Sequence, residues 1–291
     1  MISITNSNQS QLLRLSQGHL NLLERCPRQF QHTYLEQLRP PIKPENEEKQ
    51  LQGSRFHLLM QQQEMGLRIE NFLELDDDDK KNKNKLQLQT WMKAFANAAP
   101  EILTPRSDNE NFRESEHYRT LQIQNYLLTV IYDLLIADKE QAHILDWKTY
   151  AKPLNKRKLQ FIWQTRLYMY VLAETSDYPP ENIFMTYWFV QSESKPHSIK
   201  FNYSSLQHQK TEKKLNQNLK KLSKWLEAYQ QEEQFPQVSE GSKTCNYCQY
   251  AYRCQRVFSD SAEESPSQNL PRVDTTLVNL ANIQEVPMKI T

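Results

Sequence analysis

The sequence predicts an α/β fold in which a mixed, mainly antiparallel sheet is flanked by helices. Three features carry this reading. The stretch from Tyr126 to Tyr150 holds two apolar runs, Leu127–Ile136 and Ala142–Trp147, on either side of a short charged turn, Asp138-Lys-Glu-Gln. That pattern is a hairpin of two largely buried strands. Upstream of the hairpin the apolar residues recur with helical spacing, and downstream helical and strand-like segments alternate, the mark of a layered α/β domain.

Taken in order, Ser16 is placed as an N-cap, and Leu20, Leu22, Leu23, Phe30, Tyr34 and Leu35 predict a helical segment to about Leu38. Pro27 should break it at Cys26 and restart it as a first-turn residue. Pro40-Pro41 ends the region. A second helix is expected over Glu47 to Gly66, carrying Gly53 and His57. On its own His57 reads as a metal or substrate ligand or as a polar residue on a helix flank. The charge run Asp76 to Lys85 lacks the alternating ligands and turn glycine of a calcium loop, so a solvated loop is expected. Leu86 to Ala98 is a helix with Trp91, Met92 and Phe95 on its apolar face, and residues 100–111 read as a linker.

Phe112–Ile123 alternates as a strand and contains Glu116. After the hairpin, Lys158–Glu174 is predicted helical, with Gln164 and Tyr168 four residues apart on one face. Ile183–Val190 and Ser198–Tyr203 follow as an edge hairpin, with Ser192–Pro196 as its turn. A long helix from Ser205 to about Gln231 carries Lys210, Lys213, Lys214, Lys220, Lys221 and Lys224, the most basic surface of the chain. It is either a solvated face or a surface that tracks phosphates. The expected organisation is one domain over residues 1–258, with a helical part at 12–111, a sheet core at 112–203 and a basic helix with a cysteine module at 204–258. Residues 259–291 are expected to be a flexible or peripheral tail.

Bulk properties exclude several classes. The 291 residues carry 36 Lys+Arg against 35 Asp+Glu, a net charge of +1, so nucleic-acid binding would need a local basic surface. With 4 Gly and no G-x-x-x-x-G-K-[ST], the sequence has no P-loop motor. No basic region precedes an apolar segment at the N-terminus, and no apolar run approaches the roughly 20 residues that span a bilayer. A cytoplasmic protein with no membrane partner is expected.

Two sets of residues point to chemistry. In a strand, Asp146 and Lys148 share a face. With Asp133 across the ladder, two carboxylates and an ammonium would converge on a site for Mg²⁺ or Mn²⁺, the lysine orienting an attacking water. The alternative is an exposed hairpin end with an ordinary ion pair. The second set is the 4 cysteines, Cys26 and the trio Cys245-x2-Cys248-x5-Cys254. In a cytosolic chain they read as metal ligands rather than disulfides. Four thiolates suit structural Zn²⁺ or an iron–sulfur cluster. The asymmetric spacing departs from the paired C-x2-C of a zinc ribbon and tilts the reading to the cluster. Joining Cys26 to the trio would tie the N-terminal helical segment to the C-terminal module.

The ordered set Cys26-Pro-Arg-Gln-Phe30, Gly53-x3-His57, Asp133, Asp146-Trp-Lys148-Thr149, Gln164-x3-Tyr168 and the cysteine trio resembles the RecB-like branch of the PD-(D/E)XK nuclease superfamily. Its members with an iron–sulfur cluster include the nuclease domain of AddB and the cluster-bearing CRISPR-associated exonucleases. The resemblance covers roughly residues 12 to 256. It implies a restriction-endonuclease-like fold, with His57, Asp133 and Asp146 as Mg²⁺ or Mn²⁺ ligands and Lys148 as the residue that activates the water. Gln164 and Tyr168 would shape the site and contact the DNA backbone; apart from the resemblance, Lys213 and Lys220 of the basic helix are candidate substrate-binding residues. Cys26, Cys245, Cys248 and Cys254 would hold a structural [4Fe–4S] cluster. Glu116 stands where some relatives have an acidic residue on the first strand. Val130 occupies a position where relatives commonly have glycine, and its bulk is expected to crowd the substrate. The implied function is a metal-dependent DNA nuclease, an exonuclease on single strands or ends. It would work in repair, recombination or CRISPR-type processing, with a helicase or another such subunit as partner. The alternative is an inactive nuclease-fold scaffold beside a separate helicase.

Overall fold

The computed structural model describes residues 12–38, 44–69, 83–103, 112–150, 155–191 and 196–256. In chain order the elements are β1 (Leu13–Leu15), α1 (Gln17–Arg25), α2 (Pro27–Phe30), a π-helical turn (Gln31–Leu35), α3 (Pro44–Glu64), α4 (Lys83–Ala98) and α5 (Pro100–Leu103). There follow β2 (Phe112–Ile123), β3 (Tyr126–Ala137), β4 (Ala142–Lys148), α6 (Lys156–Phe161), α7 (Trp163–Glu174), β5 (Ile183–Phe189), β6 (His197–Asn202) and α8 (Ser205–Gln230). Most of the charge run at 76–85, the turn at 192–195 and the tail at 259–291 lie outside the described residues.

The chain forms two compact units. One gathers the described residues up to 38, residues 124–126 and those from 213 onward. Its N-terminal segment is not a single helix. Cys26 adopts an extended conformation between α1 and α2, its N–H donating to the Leu22 carbonyl at 2.9 Å, and Pro27 opens α2. Pro27 brings a fixed φ and no N–H, which suits it to that first turn. Phe30 stacks on Phe235 with ring centroids 6.2 Å apart. Gln31 Oε1 accepts the Phe235 N–H at 2.6 Å, and Arg28 Nε donates to the Phe235 carbonyl at 2.7 Å. These contacts between residues some two hundred positions apart hold both ends of the described chain in one unit.

The other unit, described residues 44–123 and 127–212, carries the sheet. Its order runs β3-β4-β5-β6, with β2 also paired to β3. The β3–β4 and β5–β6 pairs are antiparallel and β4–β5 is parallel. This is a mixed sheet flanked by helices. Phe56 and Met60 of α3 and Trp91, Met92 and Phe95 of α4 form a core with Leu134, Leu145, Trp147 and Trp188 of the strands. Helix α7 packs against β2 and β5.

Two expectations are corrected here. The segment at 100–111 begins with the short helix α5, as Pro100 can occupy a first helical turn. The helix expected over Lys158–Glu174 is two helices. Ile162 between them is extended (ψ 152°), and Thr165 Oγ1 donates to the Leu159 carbonyl at 2.6 Å, satisfying the end of α6. Among the described residues, no helix is long and apolar enough to cross a membrane.

Phe95 is fully buried, edge-on to Trp147 at 5.1 Å and to Trp188 at 5.4 Å. Phe95→Ala is expected to cost about 3–5 kcal/mol of stability, read as a lower urea midpoint.

Candidate active site

The β3–β4 hairpin sets the first half of the site. Its register runs from Ala137 opposite Ala142 to Leu134 opposite Leu145. One residue further on, the Asp133 side chain enters the pairing, its Oδ2 accepting the Trp147 N–H at 2.6 Å. Asp146 and Lys148 both lie on β4 and are 2% and 4% exposed, with Lys148 Nζ 2.6 Å from Asp146 Oδ1. The break at Ile162 places Gln164 in the first turn of α7, where it joins the pair. Its Oε1 accepts from Lys148 Nζ at 2.9 Å and its Nε2 donates to Asp146 Oδ2 at 2.6 Å. The amide thus gives each member of the buried ion pair one further hydrogen bond, and such bonds help a buried pair to be tolerated.

Helix α3 and strand β2 supply the second half. His57 Nδ1 lies 3.2 Å from Asp133 Oδ1. Glu116 completes the group: one ligand atom each from His57, Glu116 and Asp133 lies within 4.8 Å of the others. Glu116 has φ +51°, a left-handed conformation that is strained for glutamate. Such a step in a strand re-aims the side chain. His57 is 31% exposed and Asp133 12%, so this half opens to solvent whereas the Asp146–Lys148 half does not.

The electrostatics reflect that division. Burial pulls the His57 pKa down, but the carboxylates of Asp133, Asp146 and Glu116 outweigh it and raise the value to about 8. Burial pushes the Asp146 carboxyl up, against the pull of the Lys148 ammonium. Lys148, which burial alone would lower, is held above its ordinary value chiefly by Asp146. Each partner of the pair therefore depends on the other for its charge.

The set fits a hard divalent cation. Ligand atoms about 2.1 Å from Mg²⁺ stand about 3 Å apart when adjacent and about 4.2 Å when opposite, close to the spacing of His57, Glu116 and Asp133. The carboxylate of Asp146, expected among the ligands, contacts Lys148 and Gln164, and the close group of His57 and Asp133 also includes Glu116. The sequence signal for Glu116 was one acidic residue in an alternating strand; its aim depends on a backbone step that no residue type announces.

In the other unit, Cys26, Cys245, Cys248 and Cys254 line one pocket together with Gln29, Tyr250 and Arg256. Cys245 to Cys254 are arranged by consecutive turns, with the Cys248 N–H donating to the Cys245 carbonyl at 3.1 Å and the Cys254 N–H to the Tyr250 carbonyl at 2.9 Å. Burial raises the thiol pKa values of Cys245, Cys248 and Cys254, that of Cys248 to about 11. Four thiols gathered round one pocket are a donor set that fits a thiolate-bound metal group.

Other expected residues fall differently. Tyr168 is 3% exposed and packs edge-on against Tyr132 at 5.3 Å. Val130 is fully buried. Lys213 and Lys220 are exposed on α8.

The profile of the PD-(D/E)XK nuclease superfamily matches residues 14–255. The chain belongs to the PD-(D/E)XK nuclease superfamily. No curated protein matches it. Among solved structures, a candidate exonuclease from Eubacterium rectale is similar in fold at TM-score 0.51 and 10% identity, over 92% of this chain and 97% of that one. A second, SSO0001, is 11% identical over 87% of this chain and 89% of its own, at TM-score 0.33. In this member of the superfamily, α3 comes very close to the end of β4: a Cβ on Gly53 would stand 2.9 Å from Thr149 Oγ1.

At an open helical position, alanine for glycine stabilises by about 1 kcal/mol. Gly53→Ala is instead expected to lower stability by about 1–2 kcal/mol. Combining it with Thr149→Ala should recover the loss, read by urea unfolding of the two single variants and the double.

Proposed function

We propose that this chain is a divalent-metal-dependent deoxyribonuclease of the RecB-like branch, an exonuclease acting on single strands or DNA ends. The observation that carries the reading is the buried Asp146–Lys148–Gln164 network beside the open His57–Glu116–Asp133 group. A cation held by His57, Glu116 and Asp133, with Asp146 adjacent, would polarise the phosphoryl oxygen and supply hydroxide near neutral pH. Lys148 keeps its positive charge through Asp146 and is fixed by Gln164. It is thereby oriented to position the attacking water and to stabilise charge as the phosphodiester is displaced. Tyr168, one helical turn beyond Gln164, would help to shape the site. Lys213 and Lys220 offer exposed charge to the DNA backbone.

The same proposal assigns a structural [4Fe–4S] cluster to Cys26, Cys245, Cys248 and Cys254, supported by their gathering round one pocket. Repair, recombination or CRISPR-type processing suits such an activity. These 291 residues hold no P-loop, so a helicase working with this domain would lie outside them.

The test is anaerobic purification, a visible spectrum, and incubation of end-labelled single- and double-stranded DNA with Mg²⁺ or Mn²⁺ beside Lys148→Ala. Brown protein that degrades DNA with either metal, and a folded variant that does not, is the expected result. Brown protein that binds DNA without cutting it, like its variant, would replace the enzyme by a scaffold.

The metal site carries a pH signature. His57 holds its proton more tightly in the folded, metal-free protein than in the unfolded chain, because its pKa is raised from 6.5 to about 8. The stability this lends is complete below about 6.5 and is lost as pH climbs through about 8. A cation at His57 must displace that proton. Apparent Mn²⁺ affinity is therefore expected to rise by up to about tenfold per pH unit until about pH 8 and then level off, followed by calorimetric titration.

A further inference from the structure

Tyr150 follows Lys148 by two residues and Asp146 by four, just past the end of β4. Its ring packs against Phe189 at 5.5 Å, and Phe189 is the β5 residue paired with Lys148. Its hydroxyl oxygen is buried and has no hydrogen-bond partner among the described residues. Buried hydroxyls left in this state are few in native proteins, and each calls for a partner that arrives later or for a function. The carboxylate whose charge acts on it does not serve: Asp146 Oδ2 receives Gln164, Asp146 Oδ1 faces Lys148 Nζ at 2.6 Å, and neither oxygen bonds to the Tyr150 hydroxyl.

The surroundings also fix what the hydroxyl can do. The charges of Lys148 and Asp146 both act on the phenol, and burial foremost raises its pKa to about 12. It keeps its proton at neutral pH and is therefore a donor. A neutral donor is suited to an oxygen that carries charge and arrives with the substrate. It adds no positive charge that would oppose a cation bound at His57 and Asp133.

We propose that Tyr150 is a catalytic residue of this site, its O–H donating a hydrogen bond to a non-bridging oxygen of the scissile phosphodiester. The inference rests on the nuclease reading. The tyrosine transfers no proton and forms no bond to phosphorus. It supplies one fixed donor to an oxygen whose negative charge grows in the transition state, while Lys148 serves the attacking side.

Tyr150→Phe removes only the oxygen. The single-turnover cleavage rate is expected to fall on the order of 100-fold. Oligonucleotide affinity, measured with Ca²⁺ in place of Mg²⁺, should weaken about threefold to tenfold. Mn²⁺ affinity should be unchanged, and the melting temperature should stay level or rise, because an unpartnered buried hydroxyl has been deleted. Wild-type rate and affinity in the variant would overturn the proposal, since an ordered water would then be the partner. A lower melting temperature alongside the lost rate would also overturn it, by making the hydroxyl structural. Should the wild-type protein bind DNA and cut none, the nuclease reading fails, and Tyr150 is judged on binding. Weaker binding by the variant keeps the phosphate contact, and equal binding removes it.

Discussion

The buried ion pair of Asp146 and Lys148 is the constraint on which the rest of the site depends. Two opposite charges at 2% and 4% exposure are costly to take out of water, and their attraction offsets this only with good geometry and full hydrogen bonding. Gln164 gives each of them one hydrogen bond at once. For it to do so, α7 must begin where it does, which requires the chain to leave α6 at Ile162. Removing either charge strands the other, at a cost of about 3–5 kcal/mol. The pair is thus a condition on stability and on chemistry together.

The division between a closed half and an open half follows. Lys148 and Asp146 sit where the effective dielectric is low, and a fixed charge there acts strongly on whatever reacts beside it. His57, Glu116 and Asp133 stand toward solvent, where a cation can enter and exchange. Glu116 adopts a backbone conformation that glutamate disfavours in order to join them, with φ +51°. Strain of that kind persists only when surrounding structure dictates it, and it concentrates at functional sites.

Much of this was legible in the residues. The alternating runs around Asp138 located β3 and β4, because a half-buried strand must repeat every two residues. Pro27 marked the break after Cys26, since proline lacks the N–H that a helix interior needs. The grouping of Cys26 with Cys245, Cys248 and Cys254 was readable because thiols in such spacing have few other uses. What escaped was set by tertiary geometry. The break at Ile162 arises in a stretch with neither glycine nor proline, and is sealed by Thr165 folding back on Leu159. The approach of Glu116 to His57 and Asp133 comes with one left-handed backbone step.

The cysteine pocket has a consequence for how the protein is made. Cys26 and Cys254 are about 230 residues apart in the chain yet line the same cavity. At ordinary translation speeds, roughly 10–50 s separate their synthesis. The sheet-bearing unit, whose residues all lie between, can be complete while the first thiol still waits for the other three. Any group that the four cysteines share is therefore inserted only after nearly the whole chain exists, and a ribosome stalled short of residue 245 leaves Cys26 reduced, unligated and exposed to oxidants.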